Sequence, residues 1–279
     1  MSVLLLSVKP ALCWSNNGYS DNPTQPKYGT HDWIAQHALD YLPTQEKKFI
    51  TDNLAAYLYG TELPDNSQAT DGIGDTGKHH IYFYADGALQ DGAAAQRASE
   101  EYQKALTCLK NKDYADAAKE AGIMSHYIAD VAVFGHVMGE KTAWGAEEHH
   151  SDYEDHVNDK TKTYDSSFNS YLSFDGSLTT TSAYGAAKNI AYDTTFGGSG
   201  GLTCIWMDNN YNWNSQTFSN RAGESINLAV NSVADVLHTL YSESSNTIPE
   251  FPTTQILTIT MLTVLAMAII YKKSSLKRS

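Results

Sequence analysis

The sequence predicts an all-α fold, and three observations indicate it. Apolar residues recur at helical spacing in several segments, and these segments are rich in helix formers such as Ala, Glu, Gln and Lys. No run of alternating apolar and polar residues is typical of a β-strand. Because 279 residues suffice for one large domain, we expect a single multi-helix domain with long loops.

The predicted elements follow one another along the chain. We expect helices over residues 30–42, 45–59, 93–109, 114–137, 147–159 and 219–241. Between residues 161 and 214, Ser, Thr, Tyr, Gly and Asn dominate, which predicts ordered loops with a short helix around residues 183–192. The stretch GGSGG marks a turn, and Trp206 and Trp213 are interpreted as packing under these loops rather than as substrate-stacking residues.

The two ends of the chain indicate export and anchoring. Residues 1–13 combine a short apolar run with small residues at cleavage-site spacing, which predicts a signal peptide; a buried strand is the alternative. Beyond a domain over residues 14–243, we expect a stalk with a PEFP motif, an apolar membrane-spanning helix and a basic cytoplasmic tail, over 244–252, 253–271 and 272–279. The domain should then be anchored at the outer face of the cell membrane or at the cell surface.

Charge and cysteine content limit the partners. The net charge of −13 argues against strong nonspecific binding of nucleic acid or anionic lipid. A phosphate substrate is compatible with this charge, because bound divalent metals reverse the field locally. Removal of Cys13 with the leader would leave Cys108 and Cys204, either as a disulfide or as two free thiols.

The stretch GIMSHYIADVAVFGHVMG sets His126, Asp130 and His136 into an apolar run. Residues four apart share a helix face, so His126 and Asp130 can hold one ion, and His150 and Glu154 repeat the spacing. His136 lies about 240° further round a continuing helix than Asp130 and should face a different ion. Several unpartnered titratable groups in a core would be costly, and imidazole with carboxylate favours zinc. The pattern predicts a site with more than one metal ion.

These motifs resemble segments of the zinc-dependent phospholipases C. HYIADVAVFGH resembles their HYxxDxxxPxH segment, with Phe134 in place of proline, and HSDYE resembles their HxxYE segment. Trp14, and His31 in THDWIAQHAL, resemble the family's N-terminal tryptophan and first-helix histidine. GTELPD, ending at Asp65, and HIY at His80 resemble two further ligand segments. The C-terminal pattern resembles the PEF-CTERM surface-sorting tails of archaea.

The resemblance implies an all-helical fold of the zinc-dependent phospholipase C type that holds three zinc ions. The implied ligand sets are Asp65, His80, His126 and Asp130 for one ion; Trp14 (through its terminal amine and carbonyl oxygen), His31 and a bridging Asp130 for the second; and His136, His150 and Glu154 for the third. At two places adjacent histidines compete, and the pattern favours His80 over His79 and His150 over His149.

The resemblance also implies a function. It implies phospholipase C-type cleavage of a phospholipid head group by a metal-activated hydroxide, with Asp65 and Asp130 as catalytic residues. The alternatives are a single-strand nuclease or nucleotidase of the related zinc nuclease branch, and a surface metal-binding domain without catalysis. We expect a phospholipid or other phosphodiester substrate, contact with the membrane and a sorting enzyme, no stable nucleic-acid partner, and a monomer.

Overall fold

A computed structural model describes residues 18–20 and 22–245, and this part of the chain folds into nine α-helices and one small β-hairpin. The helices are α1 (Thr30–Ala38), α2 (Thr44–Thr51), α3 (Leu54–Glu62), α4 (Ala93–Asn111), α5 (Tyr114–Asp130), α6 (His150–Lys160), α7 (Ala183–Phe196), α8 (Cys204–Asn209) and α9 (Gln216–Ser245). The antiparallel strands are β1 (Tyr82–Phe83) and β2 (Leu89–Asp91). The described chain up to Ser244 forms one compact unit, and the predicted helical fold class is confirmed.

Helix α5 is the centre of the described fold and packs against α1, α2, α3, α4 and α7. It crosses α3 at two glycines. A Cβ atom at Gly122 would lie 2.0 Å from the carbonyl oxygen of Tyr57, and one at Gly60 would lie 2.2 Å from the carbonyl oxygen of Lys119. The two backbones can approach this closely only because neither residue has a side chain. The C-terminal part of α3 therefore lies directly against α5 around residues 119–123.

Two predicted helices are interrupted. The helix predicted over residues 45–59 is two helices, α2 and α3, and at the break the side-chain amide of Asn53 donates to the carbonyl oxygen of Phe49 at 2.8 Å. The helix predicted over residues 114–137 ends at Asp130, and a 3₁₀ turn, Phe134–Val137, follows it. The prediction of one uninterrupted helix over residues 114–137 was wrong. Apolar residues recur at helical spacing beyond Asp130, but the chain there forms a turn that packs against other segments.

The loop region contains more helix than expected. Helix α7 extends to Phe196; the hydroxyl of Ser182 accepts from the amide of Gly185 at its start, and Gly197, with a φ of +84°, ends it. Trp213 stacks on His156 with centroids 4.1 Å apart, as the predicted packing role requires. Of the two alternatives left open for the cysteines, the structure has free thiols at both Cys108 and Cys204.

The predicted chain ends fall outside the described residues. These include the signal peptide, Trp14, the PEFP motif, the span over residues 253–271 and the basic tail. Within residues 18–20 and 22–245, no helix combines the length and the apolar character needed to cross a membrane.

Candidate metal centre

Asp130, the last residue of α5, lies among four histidines. The residue is fully buried, and its Oδ1 lies 3.2 Å from Nε2 of His31 and 3.9 Å from Nε2 of His136. Its Oδ2 lies 2.9 Å from Nδ1 of His79 and 3.0 Å from Nε2 of His126. Both oxygens of one carboxylate therefore face imidazole nitrogens, and each oxygen is available as a ligand on its own side.

Two groups of candidate ligands share His126. One consists of His31, His126 and Asp130, and the other of Asp65, His79 and His126; in each, the ligand atoms lie within 4.8 Å of one another. Asp65 Oδ1 lies 3.3 Å from Nδ1 of His79 and 3.8 Å from Nε2 of His126. The rings of His31 and His126 stack with centroids 3.8 Å apart. Helices α1 and α5, the segment after α3 and the loop before β1 thus meet at this place.

A third group joins the 3₁₀ turn after α5 to the first turns of α6. Glu154 Oε1 lies 3.1 Å from Nε2 of His136 and 2.9 Å from Nε2 of His150. Glu154 Oε2 is buried and has no hydrogen-bond partner among the described residues. Gly135 provides the space for the ring of His150, because a Cβ atom at residue 135 would lie 2.3 Å from Cγ of His150.

Helix α6 is fixed in place by packing and by a cap from another helix. Phe134, which stands where the resembled motif has proline, packs edge-to-face on Tyr153 of α6 with centroids 5.2 Å apart. Asp208 of α8 accepts from the backbone amides of Glu148 at 3.1 Å and of His149 at 3.0 Å. These contacts satisfy the amide of His149, the N-cap residue of α6, and the amide of the residue before it. The 3₁₀ turn Phe134–Val137 is present with phenylalanine at residue 134.

The outer nitrogens of three histidine rings are held by acceptors. The contacts are His126 Nδ1 to the Thr61 carbonyl oxygen at 2.8 Å, His79 Nε2 to Asp75 Oδ1 at 3.4 Å, and His150 Nδ1 to Glu147 Oε1 at 3.3 Å. A carbonyl or carboxylate oxygen can only accept, so each contact favours a proton on the outer nitrogen of the ring. The inner nitrogen of each ring is then the one that can bind either a second proton or a metal ion. Such a donor set fits a divalent metal ion, and zinc accepts both ligand types.

The carboxylates also favour positive charge on the rings. Burial opposes protonation of His79, but Asp130 and its neighbours outweigh burial and raise the pKa of His79 to about 10. Burial opposes protonation of His150 as well, and Glu154 leads the carboxylates that raise the pKa of His150 to about 10. Burial would raise the pKa of Asp130, yet the surrounding histidines hold it well below its usual range. A metal ion that bound here at neutral pH would have to displace protons from His79 and His150.

The structure corrects one choice between adjacent histidines. His79 contacts Asp130, whereas the predicted ligand His80 lies outside the cluster, with its Nε2 3.1 Å from Oδ2 of Asp91 and its ring stacked on Tyr82. His79 directly follows a 3₁₀ turn, Thr76–Lys78, and its side chain is buried, whereas 21% of the His80 side chain is exposed. At the second pair, the structure places His150 in the third group and His149 beside Asp208.

Most other predicted ligands come together. The structure brings His31, Asp65, His126, Asp130, His136, His150 and Glu154 into the three groups, and Trp14 lies outside the described residues. Sequence reasoning missed the residues that orient the rings, namely Thr61, Asp75 and Glu147. For two of them a signal existed: Asp75 precedes His79 by four residues and Glu147 precedes His150 by three.

The comparisons with known proteins agree with this centre. The family model described as zinc dependent phospholipase C matches residues 30–196, more than half of the chain. The chain belongs to the zinc dependent phospholipase C family. No curated protein matches this family member significantly.

Solved structures support the same fold for this zinc dependent phospholipase C family member. It is similar to the alpha toxin from Clostridium absonum, with a TM-score of 0.52 and 16% identity. It is also similar to the Clostridium perfringens alpha-toxin isolated from avian strain SWCP, with a TM-score of 0.51 and 16% identity. Each match covers 82% of this chain and 66% of the toxin chain, so the chain spans slightly less than two thirds of either toxin.

Proposed function

We propose that this protein hydrolyses phosphodiesters and that its substrate class is a phospholipid, cleaved between the lipid alcohol and the phosphorylated head group. The observation that carries the proposal is the position of Asp130, whose two oxygens lie 2.9 to 3.9 Å from four histidine nitrogens. Membership of the zinc dependent phospholipase C family supports it.

The side chains of the centre have different parts in such a reaction. Bound zinc would lower the pKa of a water molecule and offset the charge that grows on the phosphoryl oxygens. Asp130 is fully buried, and the adjacent histidines keep it ionised, so its role is to hold and orient. Asp65 has 10% of its side chain exposed and lies at the edge of the same groups. It is the carboxylate placed to orient an attacking water or to accept its proton.

The ion count and the cellular setting are part of the proposal. Three candidate groups support three zinc ions, with the N-terminal amine of a chain cleaved before Trp14 as a ligand of one of them. The terminal sequence patterns support export and anchoring through residues 253–271, and the PEFP motif supports an archaeal sorting tail. An enzyme of this kind would act at the outer face of the membrane.

A substrate panel tests the proposed activity. The zinc-loaded protein is offered phosphatidylcholine, a chromogenic phosphodiester and single-stranded DNA, before and after chelation. We expect chelator-sensitive release of phosphocholine. Chelator-sensitive cleavage of DNA alone would identify a nuclease instead, and zinc binding without cleavage of any substrate would identify a non-catalytic metal-binding domain.

Two adjacent histidines provide a matched pair of variants for the same assay. His79→Ala removes a ligand, so we expect kcat/KM to fall roughly 100-fold or more, a larger loss than removal of an outer partner causes. His80→Ala removes the same type of side chain at the next residue. Because His80 lies outside the cluster, this variant should keep the wild-type zinc content and kcat/KM. Equal effects of the two substitutions would contradict the placement of the centre.

A further inference from the structure

His79 differs from the other histidines of the centre in the atom that it presents. His31, His126, His136 and His150 all direct Nε2 toward carboxylates of the cluster. His79 instead directs Nδ1 toward Asp130 and Asp65, and its Nε2 faces outward to Asp75. A ring turned this way requires a partner on Nε2, because the neutral ring carries its proton there when Nδ1 binds a metal.

Asp75 is itself held by two donors. The hydroxyl of Tyr127 donates to its Oδ1 at 2.6 Å, and Nε of Arg97 donates to its Oδ2 at 2.8 Å. The Arg97 guanidinium lies 5.1 Å from the centroid of the Tyr127 ring. Tyr127 is next to His126 on α5, and Arg97 is on α4. The carboxylate that contacts His79 is therefore tied to two helices of the core.

Arg97 is fixed by acidic partners as well. Its Nη1 lies 2.6 Å from Oε2 of Glu100, and its Nη2 lies 2.6 Å from Oε1 of Glu101, which is fully buried. Charge-assisted hydrogen bonds on every nitrogen of the guanidinium leave it little freedom to move. Asp75 lies in the loop between α3 and β1, and these contacts tie its carboxylate to α4 and α5.

The neighbouring histidine has a looser arrangement. Nε2 of His80 lies 3.1 Å from Oδ2 of Asp91, but 49% of the Asp91 side chain is exposed, against 25% for Asp75. Each histidine of the pair thus has one carboxylate on Nε2, and the carboxylate beside His79 is the less exposed one, held by side chains of α4 and α5. This difference distinguishes two residues of identical chemistry.

We propose that Asp75, held by Arg97 and Tyr127, is a positioning residue that selects His79 over His80 and Nδ1 over Nε2 as the zinc ligand. The proposal rests on zinc binding at this centre and is independent of the substrate. Asp75 touches neither zinc nor substrate. It acts by keeping the proton of the His79 ring on Nε2, so that a lone pair on Nδ1 faces the metal site.

Replacement of Asp75 by asparagine tests this role with little change in shape. The new amide can donate to Nε2 of His79, which favours the tautomer with its proton on Nδ1, where it blocks metal binding. We expect zinc affinity at this centre to fall roughly 10- to 100-fold, as is typical when the partner of a metal-bound histidine is lost. Affinity is measured on the full chain by competition with a chromophoric chelator.

Asp91→Asn is the matched control, since it makes the same change beside His80. It should leave zinc affinity unchanged. Nitrogen-15 NMR of the imidazoles in the zinc-loaded protein supplies a second readout, in which the tautomer of one histidine changes in Asp75→Asn and none changes in Asp91→Asn. Wild-type zinc affinity in Asp75→Asn, or an equal loss in both variants, would overturn the proposal.

Two further variants separate positioning from a general effect on folding. Tyr127→Phe removes one donor to Asp75 and keeps the buried ring, so it should lower zinc affinity by less than Asp75→Asn does. Arg97→Lys keeps the charge and should retain more affinity than Arg97→Ala. If thermal stability changes in these variants while zinc affinity and the tautomer do not, the network is structural only and the proposal fails. Because no readout uses a substrate, an inactive protein would refute the proposed function without affecting this result.

Discussion

At the scale of single residues, the absence of one side chain decides whether His150 reaches Glu154. A Cβ atom at residue 135 would lie 2.3 Å from Cγ of His150, far inside van der Waals contact. We predict that Gly135→Ala displaces the ring, removes one zinc ion per chain and lowers activity by at least the 10- to 100-fold typical of a perturbed site. Overpacking should also cost about 1–3 kcal/mol of unfolding free energy.

Zinc content per chain and thermal unfolding measure the two effects. Gly77→Ala is the control, because a Cβ atom at residue 77 meets nothing within 4 Å. The control should keep the wild-type zinc content. If Gly135→Ala bound as much zinc as Gly77→Ala, the ring of His150 would not depend on this space.

Sequence reasoning at this scale succeeded where helix periodicity applies. A spacing of four places His126 and Asp130 on the same face of α5, and His150 and Glu154 on the same face of α6. In the structure, the histidine Nε2 and the carboxylate oxygen are 3.0 Å apart in the first pair and 2.9 Å apart in the second. Sequence reasoning chose His80 where the structure has His79 in the cluster, because His79 follows a 3₁₀ turn, Thr76–Lys78, that residue spacing does not reveal. Asp75, the carboxylate that contacts Nε2 of His79, has its own partners on helices distant in sequence.

At the scale of helices, the crossing of α3 and α5 connects packing to the metal centre. Alanine normally stabilises a helix relative to glycine by about 1 kcal/mol. At Gly122 we predict the opposite sign, because the new Cβ atom would lie 2.0 Å from the carbonyl oxygen of Tyr57 and the helices would have to separate. Gly122→Ala should lower the free energy of unfolding by about 1–3 kcal/mol.

Separation of the helices should also weaken zinc binding. The carbonyl oxygen of Thr61, at the end of α3, accepts from Nδ1 of His126 at 2.8 Å, and movement of α3 would lengthen this contact. Denaturant unfolding and chelator competition measure the two consequences. Gly77→Ala again serves as the control. A more stable Gly122→Ala variant with unchanged zinc affinity would show that the crossing tolerates a methyl group.

The sequence could not predict where α5 ends. Apolar residues recur at a spacing of four at Ala129, Val133 and Val137, so periodicity alone extends the helix to residue 137. The chain turns because Val133 is extended and Phe134 packs on Tyr153, a contact between segments that spacing does not reveal. The early end has a consequence for the site, since it brings Nε2 of His136 within 3.9 Å of Asp130 Oδ1.

At the scale of the whole molecule, protons and zinc compete for the same buried cluster. Carboxylates raise the pKa of both His79 and His150 to about 10, against an ordinary value near 6.5. Both rings are therefore protonated in the zinc-free folded protein at neutral pH, and zinc must displace these protons. We predict that zinc affinity rises with pH between about 6.5 and 10 and that binding releases protons, which calorimetry in buffers of different ionisation enthalpy detects.

The same shifts set the sign of the stability change. A folded-state pKa above the unfolded value means that protonation stabilises the zinc-free fold fully below about pH 6.5, and that this contribution is lost as the pH rises toward 10. Zinc stabilises the fold by mass action, more strongly as its affinity grows. The difference in Tm between zinc-loaded and chelator-treated protein should therefore widen from pH 6.5 to pH 9. A difference that stayed constant across this range would show that these two histidines do not exchange protons for zinc.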